Sequence, residues 1–172
     1  MRDYLKLQLT PAWELVNSTR EYVLAMLTHT IGDAAMASQV ALAAHELVEN
    51  AMKYSAPGQK IRMHLEERSG ALLVTVENEA RKEDIANLIS EITAVCETKD
   101  PMGYYRSKIE LAITRTDGRA CLGLARIRFE SQMQIKWTVA GRRVRISAIR
   151  RLDEARHDHS GTSTKPGRWL DG

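Results

Sequence analysis

The chain is poor in cysteine, carries little net charge and lacks any long apolar run. Cys96 and Cys121 are its only cysteines, which excludes a disulfide framework, and we expect both to be buried thiols in a reducing cytoplasm. No apolar run approaches the roughly 20 residues that a membrane-spanning helix needs. The formal net charge of +3 is too small to indicate a nucleic-acid or membrane-surface partner.

Other absences argue against further classes of protein. Residues 1–9 alternate between polar and apolar and show no signal-peptide core, which favours a cytoplasmic location. The chain has no Cys-x-x-Cys pair and no recognisable Ser-His-Asp arrangement, so neither a thiol-dependent enzyme nor a hydrolase finds support. With 44% hydrophobic and 27% charged residues, the composition is that of an ordinary globular domain.

The spacing of apolar residues predicts ten secondary-structure elements. Alternation with a period of two predicts strands at about 3–9, 60–67, 71–78, 133–139 and 142–149. Helical periodicity predicts helices at about 11–28, 34–54, 82–96, 102–113 and 122–129. Thr10 is the predicted N-cap of the first helix, with Pro11 at its first position. We expect the polar segment 97–103 to be a mobile loop because it contains Pro101 and Gly103.

The order of these elements is β-α-α-β-β-α-α-α-β-β, which indicates the fold class. Five strands joined mostly by hairpins need helices over one face, so we predict a two-layer α/β sandwich with a mixed, mostly antiparallel sheet. We assign residues 1–150 to this single domain. Residues 151–172 are polar and have little to bury, so we expect a flexible C-terminal tail.

The most informative stretch is Ala-Ala-His-Glu-Leu-Val-Glu-Asn-Ala-Met-Lys-Tyr-Ser, residues 43–55. On one helix, Glu46, Asn50 and Lys53 form a polar stripe because residues spaced by four and three share a face. A carboxylate, an amide oxygen and an ammonium in a row can hold Mg²⁺ together with the phosphates of a ligand. The alternative is the solvated side of an ordinary amphipathic helix.

The run Glu46-Leu-Val-Glu-Asn50-Ala-Met-Lys53-Tyr resembles the N box of the GHKL ATP-binding fold. Chain length and element order are most similar to those of the small anti-sigma-factor serine kinases of bacterial partner switching, and the resemblance covers about residues 3–150. It implies that Glu46 is the catalytic residue, which orients or deprotonates the attacking nucleophile. It further implies that Asn50 holds Mg²⁺ and that Lys53 lies near the phosphates of ATP.

A first glycine-containing box of the family, Asp-x-Gly-x-Gly, is degenerate in this chain. Its place reads Val-Thr-Val-Glu-Asn-Glu-Ala at residues 74–80. Because Val74 and Val76 share a strand face, the next residue in phase is Asn78, which replaces the family's Asp. The resemblance implies that Asn78 contacts adenine, but without a charge, and both glycines of this box are missing.

A second glycine-rich box, which opens a helix beneath the phosphates in the family, is only partly present. Residues 120–127 read Ala-Cys-Leu-Gly-Leu-Ala-Arg-Ile and retain one glycine, Gly123. By resemblance, Gly123, Leu124 and Arg126 belong to the cofactor-binding site, where amides at a helix N-terminus suit a phosphate. For Arg126 the alternative is again a solvated helix face.

These resemblances imply a cytoplasmic serine/threonine kinase-like regulator that uses ATP and Mg²⁺ and binds a sigma factor or a STAS-domain antagonist. The alternative within the same fold is a pseudo-kinase that binds its protein partner but binds nucleotide weakly or not at all. A nucleic-acid-binding role for the arginine-rich segment 142–151 is disfavoured by the low net charge, so we expect neither nucleic acid nor membrane as partner. The sequence leaves open whether the chain forms a homodimer.

Overall fold

The structure, a computed structural model, describes residues 1–114 and 122–152. Cys121 and the predicted tail beyond residue 152 therefore lie outside the described residues. The elements in chain order are β1 (Arg2–Leu9), α1 (Glu14–Ile31), α2 (Ala34–Tyr54), β2 (Ile61–Arg68), β3 (Ala71–Glu79), α3 (Ile85–Glu97), α4 (Pro101–Thr114), α5 (Leu122–Phe129), β4 (Gln134–Ala140) and β5 (Arg143–Arg151). A short 3₁₀ turn, Lys82–Asp84, precedes α3. This order of strands and α-helices is the predicted one.

The five strands form one open sheet in the order β1-β2-β3-β5-β4, and each described pairing is antiparallel. Strands β2 and β3 are joined by a tight turn in which Ser69 and Gly70 have φ angles of 53° and 70°. A turn with positive φ at both central residues matches the right-handed twist of the flanking strands. The predicted two-layer α/β fold is confirmed, but the sheet is not mixed as predicted, because each described strand pairs with an antiparallel neighbour.

Alternation along the strands separates a helix-covered face from an open face. Leu72, Val74 and Val76 on β3 are buried, as their period of two predicts. They pack in one core with apolar residues of α2 such as Leu47 and Val48. On the open face, one row of paired residues runs across the sheet: Lys6, His64, Thr75, Ser147 and Lys136.

Helix α2 positions the polar stripe, and its start was predicted correctly. Gly32 adopts a left-handed conformation with φ 75° and ends α1. Asp33 then caps α2, since its carboxylate accepts a hydrogen bond from the backbone N–H of Met36 at 2.9 Å. Among residues 1–114 and 122–152, no helix is both long and apolar enough to cross a membrane.

Two local predictions were wrong. Helix α1 begins at Glu14 rather than beside Thr10, and Trp13 precedes it without a side-chain cap. The hydroxyl of Thr10 instead accepts a hydrogen bond from Lys60 Nζ, a residue distant in sequence. The predicted loop at 97–103 is also shorter, because Pro101 opens α4 and the Asp100 carboxylate accepts a hydrogen bond from the Gly103 N–H at 2.9 Å.

Candidate functional site

The polar stripe of α2 faces α5 and is not a solvated helix face. Glu46 is only 4% exposed, while Asn50 and Lys53 are half-buried. A cavity of about 200 Å³ lies between the two helices, and we call it the α2–α5 cavity. The described residues that line it are Glu46, Glu49, Asn50, Lys53, Leu122, Gly123 and Arg126. The fold thus brings together side chains of the predicted N box with residues more than 65 positions later.

An ion-pair network crosses the cavity from α2 to α4. The Arg126 guanidinium donates to Glu46 Oε1 through Nη1 at 2.5 Å. It also donates to both oxygens of Glu130, through Nε and Nη2, at 3.3 Å each. The hydroxyl of Tyr105 on α4 donates to Glu130 Oε1 at 2.5 Å. Arg126 is therefore a bridge between two carboxylates rather than part of a solvated face.

Gly123 allows α5 to lie directly on the Glu46 carboxylate. A Cβ atom at this position would lie 2.5 Å from Glu46 Oε2, which is closer than non-bonded atoms approach. Gly123 and Arg126 are three residues apart and lie on one side of α5, so both contact the same carboxylate. A larger residue at position 123 would therefore meet the end of the Glu46 side chain in this arrangement.

Burial controls the protonation of Glu46. Removal of the carboxyl group from water raises the pKa of Glu46 to about 7, while the nearby Arg126 guanidinium opposes that rise. For Glu130 burial acts in the same upward direction, but hydrogen bonds from Tyr105 and Arg126 outweigh it and lower the pKa. The two carboxyl groups that share Arg126 therefore differ in their affinity for a proton.

The lining of the cavity contains the donor types that Mg²⁺ and phosphate groups need. Asn50 supplies an amide oxygen beside the carboxylates of Glu46 and Glu49, and such oxygens suit Mg²⁺. Lys53, Arg126 and the first backbone N–H groups of α5 are the types of group that bind phosphate. With both carboxylates ionised, the two acidic and two basic side chains balance. A bound divalent cation would offset the negative charge of an entering polyphosphate.

Asn78 lies apart from the α2–α5 cavity, at the C-terminal end of α2. Its phase on β3 is as predicted, since Asn78 is buried and only 7% exposed. The Asn78 amide donates to Ser55 Oγ at 3.0 Å, and Ser55 Oγ donates to the Ala51 carbonyl at 2.6 Å. The neighbouring Ala56 N–H donates to the Glu79 carbonyl at 2.7 Å. We call Ser55, Ala56, Asn78 and Glu79 the α2–β3 junction.

The two residues that follow this junction form backbone hydrogen bonds to two different segments of the chain. The Ala80 N–H donates to the Arg142 carbonyl at 2.8 Å, and the Arg81 N–H donates to the Tyr54 carbonyl at 3.0 Å. The Arg81 side chain also donates to the Lys53 carbonyl at 2.8 Å. Ala80, which stands where the family's first box has its first glycine, thus belongs to a hydrogen-bonded segment.

Of the other predicted residues, Leu124 lies in the core at 2% exposure and is not among the described residues lining the cavity. Sequence reasoning missed Glu49, Glu130 and Tyr105. Glu130 follows Arg126 by four positions, a spacing that indicates a helical ion pair. Glu49 follows His45 by four positions, and their side chains lie 3.5 Å apart. Tyr105 has no comparable local signal, because its contact with Glu130 spans 25 positions.

No protein-family model and no curated protein matches this chain. Among solved structures, it is similar to a chain in the crystal structure of the SiaB–SiaC complex from Pseudomonas aeruginosa. That match has a TM-score of 0.66 and 15% identity, and it covers 87% of this chain and 90% of the other. At this identity the similarity establishes the fold alone. The chain has the GHKL-like fold that its N-box resemblance implied.

Two histidine kinases match more weakly. One is the histidine kinase domain of the blue-light activated histidine kinase from Erythrobacter litoralis EL346, with a TM-score of 0.47, 13% identity and coverage of 83% of this chain and 63% of that chain. The other is histidine kinase AdeS of Acinetobacter baumannii, with a TM-score of 0.41, 13% identity and coverage of 86% and 68%. These scores are too low to support any argument about function.

Proposed function

We propose that this chain is a cytoplasmic signalling regulator of the partner-switching type, which binds ATP with Mg²⁺ in the α2–α5 cavity and phosphorylates a Ser or Thr of a protein partner. The observation that carries the proposal is the convergence of Asn50 and Lys53 from α2 with Gly123 and Arg126 from α5 around one polar cavity. Phosphoryl transfer depends mainly on positioning and charge stabilisation, which such a set of groups can supply.

Each lining residue has a role in this proposal. Asn50 holds the metal ion, which when bound offsets the negative charge of the phosphates. Lys53, Arg126 and the amides at the start of α5 hold the phosphates. Glu46 receives the proton of the partner's hydroxyl, and its pKa of about 7 suits a proton acceptor near neutral pH. Leu124 is buried and contributes only by packing α5 against the core.

The protein partner is proposed on two grounds. The similar solved structure is that of a complex of two proteins, SiaB and SiaC. The resemblance to anti-sigma-factor kinases further points to a sigma factor or a STAS-domain antagonist as the partner. Asn78 completes the proposed nucleotide site only if its amide exchanges Ser55 for adenine, because the two side chains are hydrogen-bonded to each other here.

A second candidate is a GHKL-fold pseudo-kinase that acts through protein binding alone. Two contacts favour it: Glu46 is held by Arg126, and Asn78 is held by Ser55. In this arrangement both predicted functional side chains already have partners within the protein. The absence of the two glycines after Asn78 also leaves the following segment paired with its neighbours.

Calorimetric titration of the full chain with ATP, with and without Mg²⁺, separates the two candidates. The kinase proposal predicts Mg²⁺-dependent binding in the millimolar range or tighter. It also predicts that Asn50→Ala weakens this binding by about tenfold or more, as loss of a metal ligand does. Asn17→Ala, which alters an exposed asparagine on α1, is the matched control. No binding by the unmodified chain would support the pseudo-kinase, and unchanged affinity of Asn50→Ala would refute the metal role.

A further inference from the structure

We propose that Arg126 is a positioning residue that exchanges partners: it holds Glu46 when the α2–α5 cavity lacks a phosphate ligand, and it releases Glu46 when a phosphate group binds. This inference rests on the proposed function, since it assumes that phosphate groups enter the cavity. It adds that the Glu46 carboxylate and a phosphate ligand compete for the Arg126 guanidinium.

Arg126 forms two sets of hydrogen bonds that differ in geometry. One nitrogen, Nη1, donates to Glu46 Oε1 at 2.5 Å, while Nε and Nη2 donate to Glu130 at 3.3 Å. Glu130 is itself held by the hydroxyl of Tyr105 at 2.5 Å. Glu130 therefore acts as the anchor, and release of Glu46 does not require Arg126 to lose its second partner.

The position of Arg126 places it where a ligand can compete for it. Its side chain is one of those lining the cavity and is 33% exposed, whereas the Glu46 side chain is 4% exposed. A phosphate group can accept the same bidentate, charge-assisted hydrogen bonds from a guanidinium that a carboxylate accepts. Entry of a phosphate therefore competes for the nitrogen that Glu46 now uses.

This exchange has a consequence for Glu46. While bound to Arg126 and covered by Gly123, the carboxylate has its Oε1 in a hydrogen bond and its Oε2 against α5. Loss of the bond to Arg126 frees one oxygen to face the cavity. Phosphate binding would then free the Glu46 carboxylate to accept a proton. In an unliganded site the carboxylate stays hydrogen-bonded to Arg126.

The test uses magnesium pyrophosphate as the probe, because it carries the phosphate groups without adenine. Calorimetry on the full chain compares the unmodified protein with Glu46→Gln and Glu49→Gln. Removal of the negative charge at position 46 weakens the competing hydrogen bond to Arg126, so Glu46→Gln should tighten pyrophosphate binding by about tenfold. Glu49 lines the same cavity, but its carboxylate lies 3.5 Å from His45. Glu49→Gln therefore controls for the general loss of negative charge and should give a clearly smaller gain.

A double-mutant cycle shows whether the gain passes through Arg126. Arg126→Gln should weaken pyrophosphate binding, and adding Glu46→Gln to it should give no further tightening. Circular dichroism melting of each variant identifies any that fails to fold. Should Glu46→Gln unfold, Arg126→Gln and Glu130→Gln keep the test decisive, because loss of the anchor at Glu130 should also weaken binding whereas a site that does not use Arg126 would be unaffected.

The outcomes separate this inference from the proposed function. Equal gains for Glu46→Gln and Glu49→Gln, or a gain that persists with Arg126→Gln, would overturn the inference while leaving ATP binding intact. Absence of pyrophosphate binding in the unmodified chain and in Glu46→Gln would also overturn it. If ATP fails to bind the unmodified chain but Glu46→Gln binds pyrophosphate through Arg126, the exchange is supported and the kinase proposal fails.

Discussion

The α2–α5 cavity and the α2–β3 junction lie along the same helix but use their polar groups differently. In the cavity, Glu46, Arg126 and Glu130 are charged groups whose hydrogen bonds connect three helices through Tyr105. In the junction, Asn78 and Ser55 are neutral and both buried, and each is paired within the protein. The two regions correspond to the two ends of the nucleotide site that the family resemblance implies.

The difference indicates which region can respond to a ligand. A buried neutral hydrogen bond stabilises the fold modestly when made and costs free energy when one partner is removed, so the junction acts as structure. A buried charge with more than one neighbouring partner can exchange one for another, so the cavity is the region where a charged ligand has an effect. The degenerate first box and the retained N box fit this division.

The largest expected effect is a pH dependence of the stability of the folded chain, which arises from Glu46 in the α2–α5 cavity. Its pKa of about 7 in the folded chain lies above the ordinary glutamate value of 4.5, so folding favours the protonated carboxyl group. The stabilisation is fully present below about pH 4.5 and is lost as the pH rises through about 7. Urea unfolding should show the stability of the unmodified chain relative to Glu46→Gln falling by up to about 3 kcal/mol from about pH 5 to about pH 8.

Glu49→Gln, measured in the same way, is the matched control for removing an acid from the cavity. A relative stability that rises with pH would contradict the prediction. It would mean that attraction to Arg126 outweighs the cost of burying the Glu46 charge.

A smaller effect is expected from Gly123→Ala. The added Cβ would lie 2.5 Å from Glu46 Oε2, and relieving such overpacking typically costs about 1–3 kcal/mol. This cost exceeds the gain of up to about 1 kcal/mol that alanine brings to a helix interior. Urea unfolding measures the sum, and the same substitution in a Glu46→Ala background should be less costly because the clashing oxygen is gone. Equal cost in both backgrounds would show that α5 does not rest on Glu46.

The smallest effect is expected from Asn78→Ala, which tests whether the α2–β3 junction acts only as structure. Loss of the hydrogen bond to Ser55 should destabilise the chain by about 1 kcal/mol, while magnesium pyrophosphate binding stays unchanged. Thr75→Ala on the open face of the same strand is the control for shortening a polar side chain on β3. If Asn78→Ala weakens ATP binding without affecting pyrophosphate, the junction is a base-binding site and the division drawn above is wrong.

Predictions from local patterns succeeded where neighbouring residues decide the outcome. The phase of Val74, Val76 and Asn78 on β3 follows from the geometry of a single strand, and all three are buried as expected. The break at Gly32-Asp33 follows from one left-handed residue and one capping carboxylate. Thr10 is not the N-cap because α1 begins only at Glu14. The Thr10 hydroxyl instead accepts a hydrogen bond from Lys60, 50 positions away, which no local pattern reports.

The amino-acid sequence by itself determined the order of strands and helices and the alignment of Glu46, Asn50 and Lys53 on one helix, because these depend on periodicity within short segments. The GHKL-like fold was implied by the resemblance of the N box. Only the tertiary structure decided that Glu46 is buried and bound to Arg126, 80 positions later, with Glu130 and Tyr105 behind it. Such a pairing depends on how α5 packs against α2. The chemistry of the stripe was readable locally, whereas its partners are set by packing.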